Sequence, residues 1–310
     1  MEENREQNGN KIIWHARKYP FEALFRADAM VAPAFTLNDI DIVITRHSLR
    51  NIFDFVGKRN YKGFRFNLYL VGMKTLVVEP AEEEHTLDRG PEDLGTACER
   101  GFTKNPPHLE ETEGHYRTIR YSIGALQCAV QCEVDACHEE PSPIDTGENL
   151  TEEDALLGQA HQPDPGNTGS FSVTISTCDS AEIKTTRSGC KVKRAMPKLW
   201  FGRMGWFICG RIKGPTVSWN KPLPVGGDAE AIDLDNWAFQ ERVNLAKLAV
   251  VLSKLRVQVQ KCGGKRCVAV CPAHSTRLSV YPQQTARGTL PDDLLRRFWP
   301  PSVSVLGNRQ

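Results

Sequence analysis

Two short segments read as β-strands set among apolar residues: CEVDAC at Cys132–Cys137 and AEIKTT at Ala181–Thr186. Each carries two charged side chains two positions apart. Successive side chains of a strand point to opposite faces, so Glu133 and Asp135 share one face, as do Glu182 and Lys184. If the two strands are neighbours, three carboxylates and one ammonium meet on one patch. Carboxylates gathered out of water hold their protons more tightly unless positive charge sits among them. A divalent cation supplies that charge, and oxygen donors suit Mg²⁺ or Mn²⁺, which keep several waters and bind substrate phosphates. Such an ion polarises a phosphoryl oxygen and acidifies a bound water. Lys184 beside that water would orient it and stabilise the developing negative charge. The chemistry indicated is phosphate-ester hydrolysis. The plain alternative is a pair of surface strands joined by ordinary salt bridges.

Other elements must position these groups. In TRHSLRNIFDFVGK, Leu49, Ile52, Phe53 and Val56 recur at helical spacing, and the helix is expected to end near Gly57. FRFNLYLVG alternates apolar and polar residues and pairs with TLVVEP as a hairpin. PEDLGTACERGFT reads as a helix with Pro91 near its first turn. HYRTIRYSIGALQCAVQCEVDAC reads as one long strand or two paired strands turning near Gly124, and SFSVTISTC and SAEIKTT as further strands. KVKRAMPKLWFGRMG is expected to be helical in part and interrupted by Pro197, before a strand in WFICGRIKG. WAFQERVNLAKLAVVLSKLRVQVQ reads as one long helix with Val243, Leu245, Leu248, Leu252 and Leu255 on its core face. RLSVYP suits an edge strand and DDLLRRFW a terminal helix. The expected organisation is a flexible lead-in over 1–30, one domain over 31–285, and a helix and tail over 286–310.

The composition narrows the classes of function. No apolar run approaches the roughly 18 residues of a membrane span, and MEENREQNGN lacks a secretory h-region, so an intracellular, soluble protein with no membrane partner is expected. Most of the ten cysteines are then expected as reduced thiols. Neither Cys128/Cys132/Cys137 nor Cys262/Cys267/Cys271 shows paired zinc-ligand spacing, and buried thiols are the expected state of both clusters. KCGGKRC lacks the context of a phosphate-binding loop. The net charge of +1 hides an asymmetry. From His138 to Gly169 there are eight acids and no Lys or Arg, which suggests a flexible acidic insertion at 138–169. From Arg187 to Lys213 there are eight basic residues and no acid, interleaved with Trp200, Phe201, Trp206 and Phe207. A basic, aromatic stretch suits phosphate backbones and stacked bases, whereas the bland reading is a solvated helix face followed by a core strand.

The Asp…Glu-x-Lys pairing resembles the signature of the PD-(D/E)xK nuclease superfamily. The wider pattern resembles the eukaryotic decapping and exoribonuclease family within it. The matching segments, in order, are ITRHSLRNI with Arg46, GTACE with Gly95 and Glu99, CEVDA with Glu133 and Asp135, and AEIKT with Glu182 and Lys184. PKLWFGRMGWFICGR follows, and the match runs from Ile44 to Val259, about two-thirds of the chain. The resemblance implies an α/β (α+β) fold with a mixed central sheet flanked by helices. It also implies a divalent metal, Mg²⁺ or Mn²⁺, held by Glu99, Asp135, Glu182 and the carbonyl of Ile183, with Glu133 on a metal-bound water or second ion. Lys184 would contact the scissile phosphate and Arg46 the RNA phosphates. The implied substrate is the 5′ end of RNA, a triphosphate, incomplete cap or NAD cap, with 5′-to-3′ exonuclease activity as a further expectation in the nucleus or cytoplasm.

Three departures stand out. Lys198 aligns where the family usually has Gln and would touch phosphate differently. GTACE lacks the aromatic residues often seen in that element. The gap between EVD and EIK is longer, filled by the acidic insertion. They motivate a second reading, a catalytically weak relative that binds RNA or a partner exoribonuclease, and a DNA nuclease is a third. Some fungal sequences with the same TRxxLR, CEVDA, EIKT and LWFGR patterns carry a geranylgeranyl-diphosphate synthase name. Prenyl-transfer chemistry needs two aspartate-rich helical motifs, and the one Asp-Asp pair here is Asp292-Asp293.

Overall fold

The computed structural model describes residues 5–8, 11–14, 19, 21–31, 35–72, 74–81, 85–88, 94–105, 114–137, 180–214, 216–226, 231–283 and 290–300. In chain order, the N-terminal third holds β1 (Arg5–Asn8), β2 (Lys11–Trp14), α1 (Glu22–Val31), β3 (Ile42–Thr45), α2 (Arg46–Val56), β4 (Phe64–Val71), β5 (Thr75–Pro80) and β6 (His85–Asp88). The middle holds α3 (Leu94–Phe102), β7 (His115–Ile123), β8 (Leu126–Val134), β9 (Ala136–Cys137), β10 (Ser180–Thr186), α4 (Val192–Gly202) and β11 (Trp206–Lys213). Then come β12 (Thr216–Trp219), β13 (Leu223–Pro224), α5 (Leu234–Gln240), α6 (Arg242–Lys261), β14 (Cys267–Cys271), β15 (Ser279–Pro282) and α7 (Asp292–Phe298).

A seven-stranded mixed sheet in the order β15-β14-β4-β5-β3-β8-β7 forms the centre, with β3 parallel to both β5 and β8. Its middle strands are apolar on both faces because both faces are covered. Ile42, Ile44, Leu76 and Val78 point into one core with Leu49, Phe53, Leu199, Leu248 and Leu252 from α2, α4 and α6. Val43 and Val77 point the other way, onto Phe21, Leu24, Phe25, Leu294 and Phe298 from α1, α7 and the residue before α1. This is the mixed sheet flanked by helices that the sequence leads one to expect. The predicted hairpin is β4 against β5, and RLSVYP supplies β15 at the sheet edge. Of the two options for residues 115–137, the paired strands are observed: β7 and β8 turn at Gly124, whose φ of 60° is the left-handed conformation that glycine adopts without cost.

A second sheet, β12-β11-β10-β9 with β13 also on β11, stands beside the first. The two are joined by a single step of the chain: β8 ends at Val134 in the large sheet, β9 begins at Ala136 in the small one, and Asp135 lies between. β10 and β11 run parallel, with Glu182 opposite Phe207 and Lys184 opposite Cys209. Phe207 and Cys209 belong to the main core, so the two charges of AEIKTT sit on the face turned toward it, while Ala181, Ile183 and Ile208 form a separate apolar cluster on the other face.

Several expectations are corrected. The long helix is two, α5 and α6, meeting at Glu241, which ends one helix and precedes the other. The buried stripe of α6 is Leu248, Leu252, Leu255 and Val259, whereas Val243 is exposed, because lying five residues before Leu248 puts it about 140° round the helix from that stripe. Pro197 does not interrupt α4, which runs through it. A proline in mid-helix sacrifices one hydrogen bond and crowds the carbonyl four residues back, and here the packing of Ala195, Leu199 and Phe201 into the main core offsets that loss. The 1–30 stretch, expected as a lead-in, holds β1, β2 and α1, and Phe21, Leu24 and Phe25 are buried. Cys128, Cys132, Cys267 and Cys271 are buried thiols, while Cys137 is exposed and Cys262 partly so. Cys190 and Cys209, expected as thiols, pair as a disulfide with Cα atoms 6.3 Å apart. The acidic insertion, SFSVTISTC and Pro91 lie outside the described residues.

Candidate active site

The strand-to-helix turn from β3 to α2 places the first group. Thr45 caps α2, its side chain accepting the Ser48 N–H at 3.1 Å, and Arg46 follows at the first helical position. A cation is disfavoured by the helix dipole there unless an anion faces it. Glu182, fully buried, is that anion: Arg46 Nη1 donates to Glu182 Oε2 at 2.9 Å. α4 contributes two residues one turn apart on one face. Lys198 Nζ donates to Glu182 Oε1 at 2.5 Å. Gly202 lets Arg46 lie against the helix, since a Cβ there would stand 3.0 Å from Arg46 Nη1. Lys184 Nζ lies 3.1 Å from the same Glu182 Oε1. Both oxygens of this glutamate are thus taken by cations, one guanidinium and two ammonium groups.

Asp135, at the crossing between sheets, accepts the Ile183 N–H at 2.8 Å through Oδ2. Glu99 is half-buried on α3, within electrostatic range of Lys184, Glu133, Glu182 and Lys198. Glu133 is exposed on β8, opposite Tyr116 of β7. CEVDAC and AEIKTT do pair, but only at the end of CEVDAC: Ala136 and Cys137 of β9 lie antiparallel to Ala181 and Ser180 of β10, while Glu133 stays on β8 in the large sheet. Asp135 joins the two because the chain changes sheet there.

Burial opposes the charge of Glu182, but Arg46, Lys198 and Lys184 outweigh it and hold the carboxyl below its ordinary value. Asp135 behaves oppositely: burial, reinforced by the charge of Glu182, pushes its carboxyl up to about 7. Burial raises Glu99 as well, with Lys184 partly offsetting it. Lys198 is lowered, chiefly by burial and by repulsion from Lys184, against the pull of Glu182. The acidic groups therefore outrun the cations that serve them, and Asp135 is where the deficit shows.

Among the described residues no three His, Cys, Asp or Glu side chains gather closely enough to hold a metal ion. The donor chemistry, carboxylates plus the carbonyl of Ile183, nonetheless suits a hard divalent cation. In this structure Glu182 is neutralised instead by Arg46, Lys184 and Lys198.

Three residues escaped the sequence argument. Arg117 is buried and donates through Nη2 to the carbonyls of Gly202 at 2.6 Å and Arg203 at 2.8 Å, fixing the end of α4. Its signal was present, a basic residue at an inward position of HYRTIRYS. Arg203 takes a left-handed φ of 48° to close α4, and its guanidinium lies 4.3 Å from the ring centre of Trp200. Arg50, one turn beyond Arg46, lies within electrostatic range of Glu182. In the basic stretch, Lys191, Lys193 and Arg194 are exposed and Trp200 and Trp206 partly buried.

A family described as "Domain of unknown function (DUF8563)" has a model that matches residues 6–299, and the chain belongs to that family. No curated protein matches it. Among solved structures it resembles a mutant S. pombe Rai1 in complex with 3′-FADP at a TM-score of 0.53 and 10% identity, covering 84% of this chain and 77% of that one. S. pombe Rai1 itself is similar at 0.52 and 12% identity, over 86% and 79% of the two chains. Scheffersomyces stipitis Rai1, in complex with (3′-NADP)⁺ and calcium, is similar at 0.51 and 11% identity, over 88% and 74%. The fold is that of these decapping-family structures. No helix among the described residues is long and apolar enough to cross a membrane.

Proposed function

We propose that the protein is a divalent-metal-dependent hydrolase acting on the 5′ end of RNA. The observation that carries this reading is the buried Glu182 on β10, bonded to Arg46 and Lys184, beside an Asp135 lodged between two sheets. The likeness to Rai1 structures supports it, one bound to 3′-FADP and another to (3′-NADP)⁺ and calcium. Glu99, Asp135, Glu182 and the Ile183 carbonyl would hold Mg²⁺ or Mn²⁺. When bound, the ion supplies polarisation of a phosphoryl oxygen and acidification of a water.

The chain's own residues do the rest. Lys184, two-fifths exposed, reaches from Glu182 toward an incoming phosphate and neutralises its charge in the transition state. Arg46, expected to contact RNA phosphates, is almost wholly buried and locked by Glu182, so its part is to hold the site's positive field fixed. Glu133, exposed at the open side, orients the attacking water and accepts its proton. Lys191, Lys193 and Arg194 attract the RNA backbone. The test is to incubate the purified protein with 5′-triphosphate, 5′-monophosphate and NAD-capped RNA, and with matched DNA, in Mn²⁺, Mg²⁺ or chelator. Metal-dependent release from one RNA end is expected. Inactivity on every 5′ end would defeat the reading, and DNA cleavage at equal rate would make the protein a DNA nuclease.

The Lys198–Glu182 contact favours a second reading, an RNA-binding relative with little turnover. RNA binding that persists in chelator without product formation would select it. Prenyl-diphosphate synthesis has no support in these residues.

A further inference from the structure

We propose that Lys198 is a built-in counter-cation that occupies the metal's place on Glu182 and leaves it when a phosphate is bound. This rests on the reading of the site as a metal-dependent one. Glu182 is fully buried, and its two oxygens differ in what holds them. Oε2 is bound by Arg46, itself almost wholly buried and wedged against Gly202. That oxygen is closed to an ion. Oε1 carries both ammonium groups, Lys198 at 2.5 Å and Lys184 at 3.1 Å. A divalent ion must bind Oε1, and there it meets Lys198 as the nearer occupant. Two ammonium groups already crowd that oxygen, so an arriving divalent ion is repelled by both and must displace one of them.

The three cations are not equally free to move. Arg46 is fixed by its burial, and Lys184 is on the same strand as Glu182, two residues on. Lys198 enters from another element, α4, with about a quarter of its side chain exposed and four methylenes of reach. It can swing from Glu182 to a phosphate at the mouth of the site. The same lysine then serves twice: it satisfies a buried carboxylate when the site is empty, and it binds the substrate anion when the metal takes its place. Metal and 5′-phosphate should therefore favour one another's binding.

The test is calorimetric titration of Mn²⁺ at fixed pH and salt into the wild type, Lys198→Gln, Lys198→Met and Lys198→Arg. It is paired with anisotropy measurements of a fluorescent 5′-phosphorylated RNA in chelator and with Ca²⁺. Removing the charge in Lys198→Gln and Lys198→Met should tighten Mn²⁺ about tenfold and weaken RNA binding in Ca²⁺ about tenfold, with little change in chelator. Lys198→Arg should bind Mn²⁺ as weakly as the wild type. A merely structural lysine would move both affinities down together, and thermal melting separates misfolded variants. Mn²⁺ bound no more tightly by both neutral variants would overturn the proposal, as would tightening that survives in the Glu182→Gln, Lys198→Gln double variant. If the wild type hydrolyses RNA with Mn²⁺ but neutral variants gain no affinity, this inference fails and the hydrolase reading stands. If they gain affinity while no variant turns RNA over, the reverse holds.

Discussion

Among the described residues two glutamates on strands are buried, Glu79 and Glu182, and they are furnished differently. Glu79, on β5, is 2% exposed and is met by the Tyr69 hydroxyl at 2.8 Å and the Arg266 guanidinium at 3.0 Å. Arg266 also lies 4.8 Å from the centre of the Tyr69 ring. This arrangement holds a charge still: a planar fork and a phenol meet the carboxylate inside the sheet layer. Glu182 is as deeply buried but is met by one guanidinium and two ammonium groups, with Asp135 and Glu99 in electrostatic reach. Two of its cations are partly exposed. A carboxylate that only needs neutralising calls for less. The two mobile cations at Glu182 are what the proposed exchange with a ligand would use.

The comparison can be broken or sharpened by four measurements. The largest effect is expected in turnover: Glu182→Gln should lower the RNA-hydrolysis rate about a hundredfold or more, read in steady-state assays, while Glu79→Gln leaves the rate of the folded fraction unchanged. Equal losses would erase the distinction. Next, Glu79→Ala leaves Arg266 buried without its anion and should cost about 3–5 kcal/mol in urea denaturation.

The third concerns pH. Burial, then Glu182, raises the Asp135 carboxyl to about 7, above its value in the unfolded chain. Between those two values the native state holds the extra proton, so stability falls as pH rises toward 7 and stays low above it. In chelator, Asp135→Asn should flatten that profile and stabilise the protein at pH 8 by on the order of a few kcal/mol, while abolishing turnover. A destabilised variant at pH 8 would refute the electrostatic account. The smallest effect lies outside the site. Asp28 of α1, beside Thr118, is pushed up to about 6 by burial. By the same sign, Asp28→Asn should gain roughly 1 kcal/mol above pH 6, seen as a higher melting temperature, with turnover unchanged.

Much of this was legible in the residue order. Period-two alternation disclosed the β4–β5 hairpin, and helical spacing disclosed α2 with its end at Gly57. The Glu-x-Lys step showed that charges had been set on a face due to be buried. Glu79 gave no such sign, because a lone acid at the end of TLVVEP looks like a strand terminus. The step at Glu241 was hidden because the apolar spacing of α6 continues smoothly backwards into α5. Arg117 showed its inward position, but its partners could not be named from the sequence, because they are main-chain carbonyls 85 and 86 positions away. The pairing of CEVDAC with AEIKTT was foreseen, and Ala136 does lie against Ala181. The change of sheet in the middle of CEVDAC was not, because short-range periodicity does not encode it.

Asp135 answers to two registers at once. A slip of one residue in either sheet would turn that sheet's apolar residues to the wrong face and swing the carboxylate out of reach of Ile183. Burial of both layers and placement of the aspartate are therefore settled by one and the same choice of frame.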